Sequence, residues 1–300
     1  MNSPKITIIT PCYNGESHLQ PYINGLLSQK YQNVEYIFVD DASVDNTQNI
    51  ILSYEKEFIK KGWTFKYIKC KERKGQASAI NRGLKIFTGD YICCPDSDDV
   101  LLPSYLEDMS NFMESHPECV LCYPWAVEAE EHSGKIRRYY KRHVPEHTHD
   151  VLFDNLVLGR NKGENAVFYP SYMLRASAFL SVYKDRQIYP GLTGQNAQMT
   201  LPFIYNYKTG YVEKILYKVT ARKNSDSRLT DYKDRINKSY SWEDVACQTL
   251  KYIPNMPDYE KAYYFNFIKQ KWAKNRRKWS RPKFKFAELL QSVKKFKVKE

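Results

Sequence analysis

Lys5-Ile-Thr-Ile-Ile-Thr-Pro-Cys-Tyr-Asn14 decides the fold. Five β-branched residues run unbroken from Ile6 to Thr10, then meet Pro11 and the turn pair Asn14-Gly15. A short apolar run closed by such punctuation reads as a buried strand. From Glu16 the period changes, and Leu19, Ile23, Leu26 and Leu27 share a helical face. A second strand, Val34 to Val39, runs into Asp40-Asp41-Ala-Ser-Val-Asp45-Asn-Thr47, and Ile50, Ile51, Tyr54 and Phe58 follow at helical spacing. A third strand is expected at Phe65 to Cys70, a loop and helix at Gly75 to Leu84, and a fourth strand from Tyr91. This alternation predicts an α/β fold with a mostly parallel sheet flanked by helices. Ligands of such sheets bind beyond the carboxyl ends of the strands, where Thr10, Asp40, Asp41, Asp96 and Asp98 fall.

The fourth strand ends in Pro95-Asp96-Ser97-Asp98-Asp99. Like charges this close repel, so three carboxylates in four positions are best tolerated around a cation. All-oxygen ligands suit magnesium or manganese rather than zinc or copper. A solvated acidic turn capping the next helix is the alternative. Three polar clusters at one sheet edge favour a site over three unrelated caps.

Four blocks, Ile-Ile-Thr-Pro-Cys-Tyr-Asn-Gly, Phe-Val-Asp-Asp-Ala-Ser-Val-Asp-Asn-Thr, Gly-Gln-Ala-Ser-Ala-Ile-Asn-Arg-Gly-Leu and Pro-Asp-Ser-Asp-Asp, resemble the family 2 glycosyltransferases of the GT-A fold. Their order and spacing agree over roughly the first 105 residues, which makes the set specific where each block alone is weak. The resemblance implies that Thr10, Pro11, Tyr13 and Asn14 line a nucleotide pocket and that Asp41 bonds the base, usually uracil. It places Lys74 and Gly75 beside the base or the sugar. Asp96 and Asp98 match the family's Asp-x-Asp, with Asp98 the main ligand of Mn²⁺ or Mg²⁺ and Asp96 facing the ribose or the metal. The implied reaction is inversion at a hexose carried by UDP, in which a cation steadies the departing diphosphate.

Two places depart from the family pattern. Where family members carry a Glu-Asp pair whose Asp is the base, this chain reads Gly194-Gln195-Asn196-Ala-Gln198, and an amide cannot take a proton. Gln195 and Asn196 are the catalytic candidates at that place, with Asp99 beside the metal ligands. Three accounts stay open: the amides orient the acceptor while another carboxylate or a substrate phosphate takes the proton; the base is Asp185 or Glu164; or the chain binds nucleotide sugars without transferring them. The second departure is Arg222-Lys-Asn-Ser-Asp226-Ser-Arg228, where similar enzymes often place a His. Asp226 there would offer the metal an oxygen, and Arg222 and Arg228 would fork onto the diphosphate. A nucleotidyltransferase is a further alternative, but Pro11-Cys-Tyr-Asn-Gly-Glu lacks the glycine-rich basic loop of that class.

Composition sets the outer limits. The 300 residues suffice for a GT-A domain over 1–250 and a basic, aromatic, helical extension over 251–300. Seven cysteines without a regular framework predict a reducing, cytoplasmic setting, and Cys119-Val-Leu-Cys122 reads as core packing in a strand. The first strand begins too early to leave room for a signal peptide. The chain holds 46 Lys and Arg against 34 Asp and Glu, and residues 261–300 hold 14 of the former and 2 of the latter, so the excess of +12 lies in the tail. Its Lys, Trp and Phe suit the anionic inner face of a membrane, as a peripheral contact, better than nucleic acid. Trp125 to Asp150 reads as a loop over the acceptor side, whose Arg137, Arg138, Lys141 and Arg142 would meet an acceptor phosphate. His143, His147 and His149 there are not spaced as zinc ligands. The expected acceptor is a glycan or lipid-linked saccharide of surface-polysaccharide type.

Overall fold

The computed structural model describes residues 3–145, 148, 150–191, 194–222 and 231–281. The first third follows the expected alternation: β1 (Ile6–Cys12), α1 (Leu19–Leu27), β2 (Val34–Asp40), α2 (Thr47–Ser53), α3 (Glu55–Lys60), β3 (Thr64–Lys69), α4 (Gln76–Leu84) and β4 (Tyr91–Cys93). After it come β5 (Val100–Leu101), α5 (Tyr105–Ser115), β6 (Cys119–Glu130), β7 (Ile136–Tyr140), α6 (Leu152–Val157), a 3₁₀ turn at Tyr169–Ser171, β8 (Met173–Arg175) and α7 (Ala176–Val182). The chain continues through α8 (Gln195–Asn206), β9 (Lys208–Ala221), α9 (Tyr232–Lys251) and α10 (Asp258–Trp279).

One mixed sheet runs in the order β3-β2-β1-β4-β8-β6-β9-β5, with β7 on β6. Strands β3, β2, β1 and β4 are all parallel, and direction reverses at β8. The alternation of β2 divides the core: Tyr36 and Phe38 face the helices α1 and α5, whereas Ile37 and Val39 face α4 and the helices that follow β7. All seven cysteines are buried thiols.

The motif residues after β1 and β2 stitch two loops together. The amides of Asn14, Gly15 and Glu16 donate to the side chains of Ser43, Thr47 and Asp45, at 2.9, 2.7 and 3.0 Å, and Asn14 Oδ1 accepts from Val44 N. Asn14 can occupy the left-handed region (φ 51°) because its short side chain bonds locally. Both loops are therefore held at the carboxyl edge of the sheet.

The stretch from Trp125 to Asp150 departs from the loop expectation. Strand β6 carries on to Glu130 and turns into β7. Pro124, which cannot donate to a ladder, is absorbed by a register shift against β9 between Pro124 and Trp125. At the far end, α10 packs on α9 and buries Tyr264 and Ile268 in the cluster that contains Ile9 and Ile37. Among the described residues no helix is long and apolar enough to cross a membrane.

Candidate active site

The clusters at the sheet edge open onto one cavity of about 920 Å³. Pro11, Tyr13 and Asn14 reach it from the end of β1, Asp41 from β2, Gly75 and Gln76 from the start of α4, and Asp96 and Asp98 from the turn after β4. Gln195 and Asn196 enter from α8, and Arg222 from the end of β9. Sequence positions up to 211 apart thus share one cavity, which the topology alone accomplishes.

Asp41 is almost wholly buried, and its two carboxylate oxygens accept the backbone N–H groups of Lys74 (3.0 Å) and Gly75 (2.8 Å). Gly75 stands at φ 89°, where a side chain would be strained, and delivers the chain into α4. The site therefore uses the backbone of Lys74; its ammonium pairs with Glu72 outside the cavity. The Arg73 guanidinium lies 3.9 Å from the Tyr13 ring centroid, which makes a flat cationic surface at the cavity wall. Thr10 departs from its expected place: strand alternation turns it into the core, where its hydroxyl bonds that of Tyr22.

The ligand atoms of Asp96, Asp98 and Asp99 lie within 4.8 Å of one another. Asp96 Oδ1 is enclosed with no hydrogen-bond partner, and burial, reinforced by Asp98, pushes its pKa up to about 7. Asp99 does not line the cavity; it accepts from Tyr217 Oη (3.1 Å) and Thr220 N (3.0 Å), and burial raises its pKa well above the carboxylate range. Asp99 thus ties the acidic turn to β9 and has no reach to a reacting atom. Arg222 donates to Asp98 and lies 2.9 Å from His18 Nδ1, so a guanidinium already offers this cluster positive charge. Hard oxygen donors and a buried oxygen without a partner fit a divalent cation on Asp96 and Asp98. Asp226 and Arg228 lie outside the described residues.

Gly194 (φ 77°) turns the chain into α8 and points the two amides at the cavity. Gln195 donates to Gln76 Oε1 at 2.8 Å, and Asn196 Oδ1 is buried without a partner. Glu164 and Asp185 are exposed and do not line the cavity. Of the four basic residues expected to meet an acceptor phosphate, none lines it. Arg142 is buried against Asp150 and Tyr211, Arg137 pairs with Glu130 at 2.9 Å, Arg138 lies 5.7 Å from the Tyr140 ring and Lys141 sits 4.3 Å from the Tyr139 ring. His143 lies beside Glu213, while His147 and His149 are outside the described residues.

Sequence reasoning missed His18, Arg73 and Gln76, although Arg73 and Gln76 adjoin Lys74 and Gly75. It also missed Lys238, Trp242, Lys271 and Trp272, which α9 and α10 bring to the same cavity. No local pattern marks those four, since only the packing of α10 on α9 puts them there.

The family model described as glycosyl transferase family 2 matches residues 7–174. EpsE of Bacillus subtilis, classed as a glycosyltransferase, is 31% identical over 229 residues, which span 76% of each chain. An uncharacterized glycosyltransferase of Haemophilus influenzae is 42% identical over 113 residues, 38% of this chain and 44% of that one. The glycosyltransferase GlyA of Streptococcus pneumoniae is 26% identical over 232 residues, and the match spans only 32% of its length. Among solved structures, S. aureus TarS 1-349 in complex with UDP-GlcNAc superposes with a TM-score of 0.62 at 21% identity, covering 88% of this chain and 70% of that one. This likeness shows a shared fold.

Proposed function

The chain belongs to glycosyltransferase family 2, and from that premise we propose that it transfers a hexose from a UDP-sugar to a glycan or lipid-linked saccharide of surface-polysaccharide type. The observation that carries this reading is the pairing, across one cavity, of the Asp41 loop with the Asp96 and Asp98 carboxylates. A base held against Tyr13, Arg73 and the Asp41 loop leaves its diphosphate toward Asp98 and Arg222. That TarS, of the same fold, is solved with UDP and with UDP-GlcNAc supports the choice of donor.

Asp96 and Asp98 would hold Mn²⁺ or Mg²⁺, with Asp226 as a further oxygen donor. Such a cation supplies positive charge to the diphosphate oxygens as they leave. Arg222 adds forked hydrogen bonds to the same oxygens, and Arg228 is proposed to join it. The Asn196 amide oxygen accepts a hydrogen bond from the attacking hydroxyl and holds it on the face opposite the leaving group; the new glycosidic bond forms as the bond to the diphosphate breaks, with inversion, and the hydroxyl proton passes to a substrate phosphate oxygen on the attacking side. An amide orients that hydroxyl without taking its proton.

A second reading, a nucleotide-sugar binder without transfer, is favoured by Gln195-Asn196 at the base position. Calorimetry with UDP, with and without manganese, and UDP release in the presence of acceptor separate the two. Failure of UDP and UDP-sugars to bind the wild-type chain would sink both. The described part of the basic extension leaves Tyr259, Tyr263 and Lys269 exposed on α10, in keeping with a peripheral contact to an anionic, cytoplasmic membrane face.

A further inference from the structure

The cavity continues past Gln195 and Asn196 into a recess among α6, α8, α9 and α10, with aliphatic walls from Leu156, Val157, Leu250 and Ile268. There Trp242 of α9 and Trp272 of α10 pack with centroids 5.2 Å apart and planes 31° apart. An ammonium brackets each ring: Lys238 lies 5.8 Å from the Trp242 centroid and Lys271 5.8 Å from that of Trp272. Both lysines line the cavity. Lys271 is half-buried, with no hydrogen bond or ion pair among the described residues, and burial together with Lys162 pushes its pKa down. An ammonium drawn out of water without a counter-ion costs folding stability, and an arriving anion recovers that cost.

We propose that this recess is the acceptor site and that the acceptor is an amphiphile bearing a phosphate or diphosphate. Its anionic group sits between Lys238 and Lys271, its hydrocarbon chain follows Leu156, Val157 and Ile268, and its accepting hydroxyl lies toward Asn196. A purely polar glycan would leave the aliphatic wall bare, and a neutral lipid would leave Lys271 without a counter-ion. Only a ligand with both parts satisfies both walls. The inference rests on the transferase reading, because it assigns Asn196 to the acceptor side.

The test uses the full chain saturated with UDP and manganese, so that the donor site is closed to a second diphosphate, and titrates it calorimetrically with farnesyl diphosphate, inorganic pyrophosphate or farnesol. Farnesyl diphosphate is expected to bind at least about tenfold tighter than either fragment, because charge-assisted bonds and hydrocarbon burial both contribute. Lys271→Met is expected to weaken it about tenfold, and Lys238→Gln combined with Lys271→Met about a hundredfold. UDP affinity should not move. Because Lys271→Met removes a desolvated charge and keeps its aliphatic stem, its melting temperature should hold or rise, which separates lost binding from lost folding. Equal binding by wild type and the double variant, displacement of farnesyl diphosphate by UDP, or fragments that bind as tightly as the amphiphile would each overturn the proposal. If UDP itself fails to bind, the transferase reading has failed first.

Discussion

The two walls of this cavity satisfy their polar groups in different ways. At the donor edge, Asp41 and Asp99 are tied to backbone amides and to the Tyr217 hydroxyl, and the loops after β1 and β2 are laced by Asn14, Ser43, Asp45 and Thr47. Across the cavity, the Asn196 amide oxygen has no partner and Lys271 has no counter-ion among the described residues. The donor edge is therefore pre-organised before any ligand arrives, whereas the acceptor wall holds groups that a ligand would complete. Asp96 is the exception at the donor edge, with an oxygen of its own left open.

The hardest blow to this contrast is Asp98→Ala. Transfer should fall about 10³-fold, the scale for losing an electrostatic stabiliser of developing charge, and UDP binding should lose its response to manganese. Chelation of divalent cations should reproduce the loss in the wild-type enzyme. Activity within tenfold of wild type would mean that the acidic turn is not the leaving-group end. Asp41→Asn comes next. It turns an amide N–H₂ against the Lys74 or Gly75 donor, and UDP affinity measured by calorimetry should fall about 10–30-fold, since an unsatisfied buried donor costs about 1–3 kcal/mol.

At the opposite wall, Asn196→Ala should lower kcat/KM for the acceptor about tenfold and leave the UDP Kd unchanged, as expected of a group that orients one substrate only. A matching loss in UDP affinity would merge the two walls into one. The open oxygen of Asp96 gives a pH signature that the tied carboxylates mask. Unfolded, Asp96 ionises near pH 4; folded and cation-free, it keeps its proton up to about pH 7. Its raised folded pKa means that its contribution is present at low pH and is lost as pH climbs through that window. The Tm of cation-free protein should drop by about 4–8 °C between pH 5 and 7.5, since about two pH units of displaced ionisation at about 1.36 kcal/mol each come to about 2–3 kcal/mol, and Asp96→Asn should flatten that slope.

The same contrast explains what could be read in the sequence. Strands β1, β2 and β4 were legible because each is a short apolar run closed by Pro or Asp, and β3 because Phe65, Tyr67 and Ile68 favour an extended chain. The donor edge was legible because its residues are the strand ends themselves. Thr10 was misplaced by a register question that only the sheet answers: it lines the core while its neighbour Pro11 lines the cavity. The strand through Trp125 was hidden by Pro124, whose bulge no local pattern announces. Arg142 read as a contact for an acceptor phosphate, yet Asp150 and Tyr211 enclose it from eight and 69 positions away. The acceptor wall was illegible for a related reason. Trp242 and Trp272 lie on helices whose apolar spacing is weak, and their meeting depends on how α10 returns along α9.

The smallest expected effect tests the seam between the walls. Gln195 Nε2 donates to Gln76 Oε1 across the cavity, joining the start of α8 to the start of α4. Both partners are neutral amides, so the bond contributes about 1 kcal/mol or less. Gln76→Ala frees Gln195 to sample other rotamers while the backbone amide that holds Asp41, one residue earlier, stays in place. The expected result is a fall of about threefold in kcat/KM for the acceptor, with UDP binding unmoved. Gln76→Glu keeps an acceptor oxygen for Gln195 and should restore most of the loss. If Gln76→Ala instead weakens UDP as much as Asp41→Asn does, the seam transmits donor-edge order into the acceptor wall, and the two regions act as one pre-organised surface.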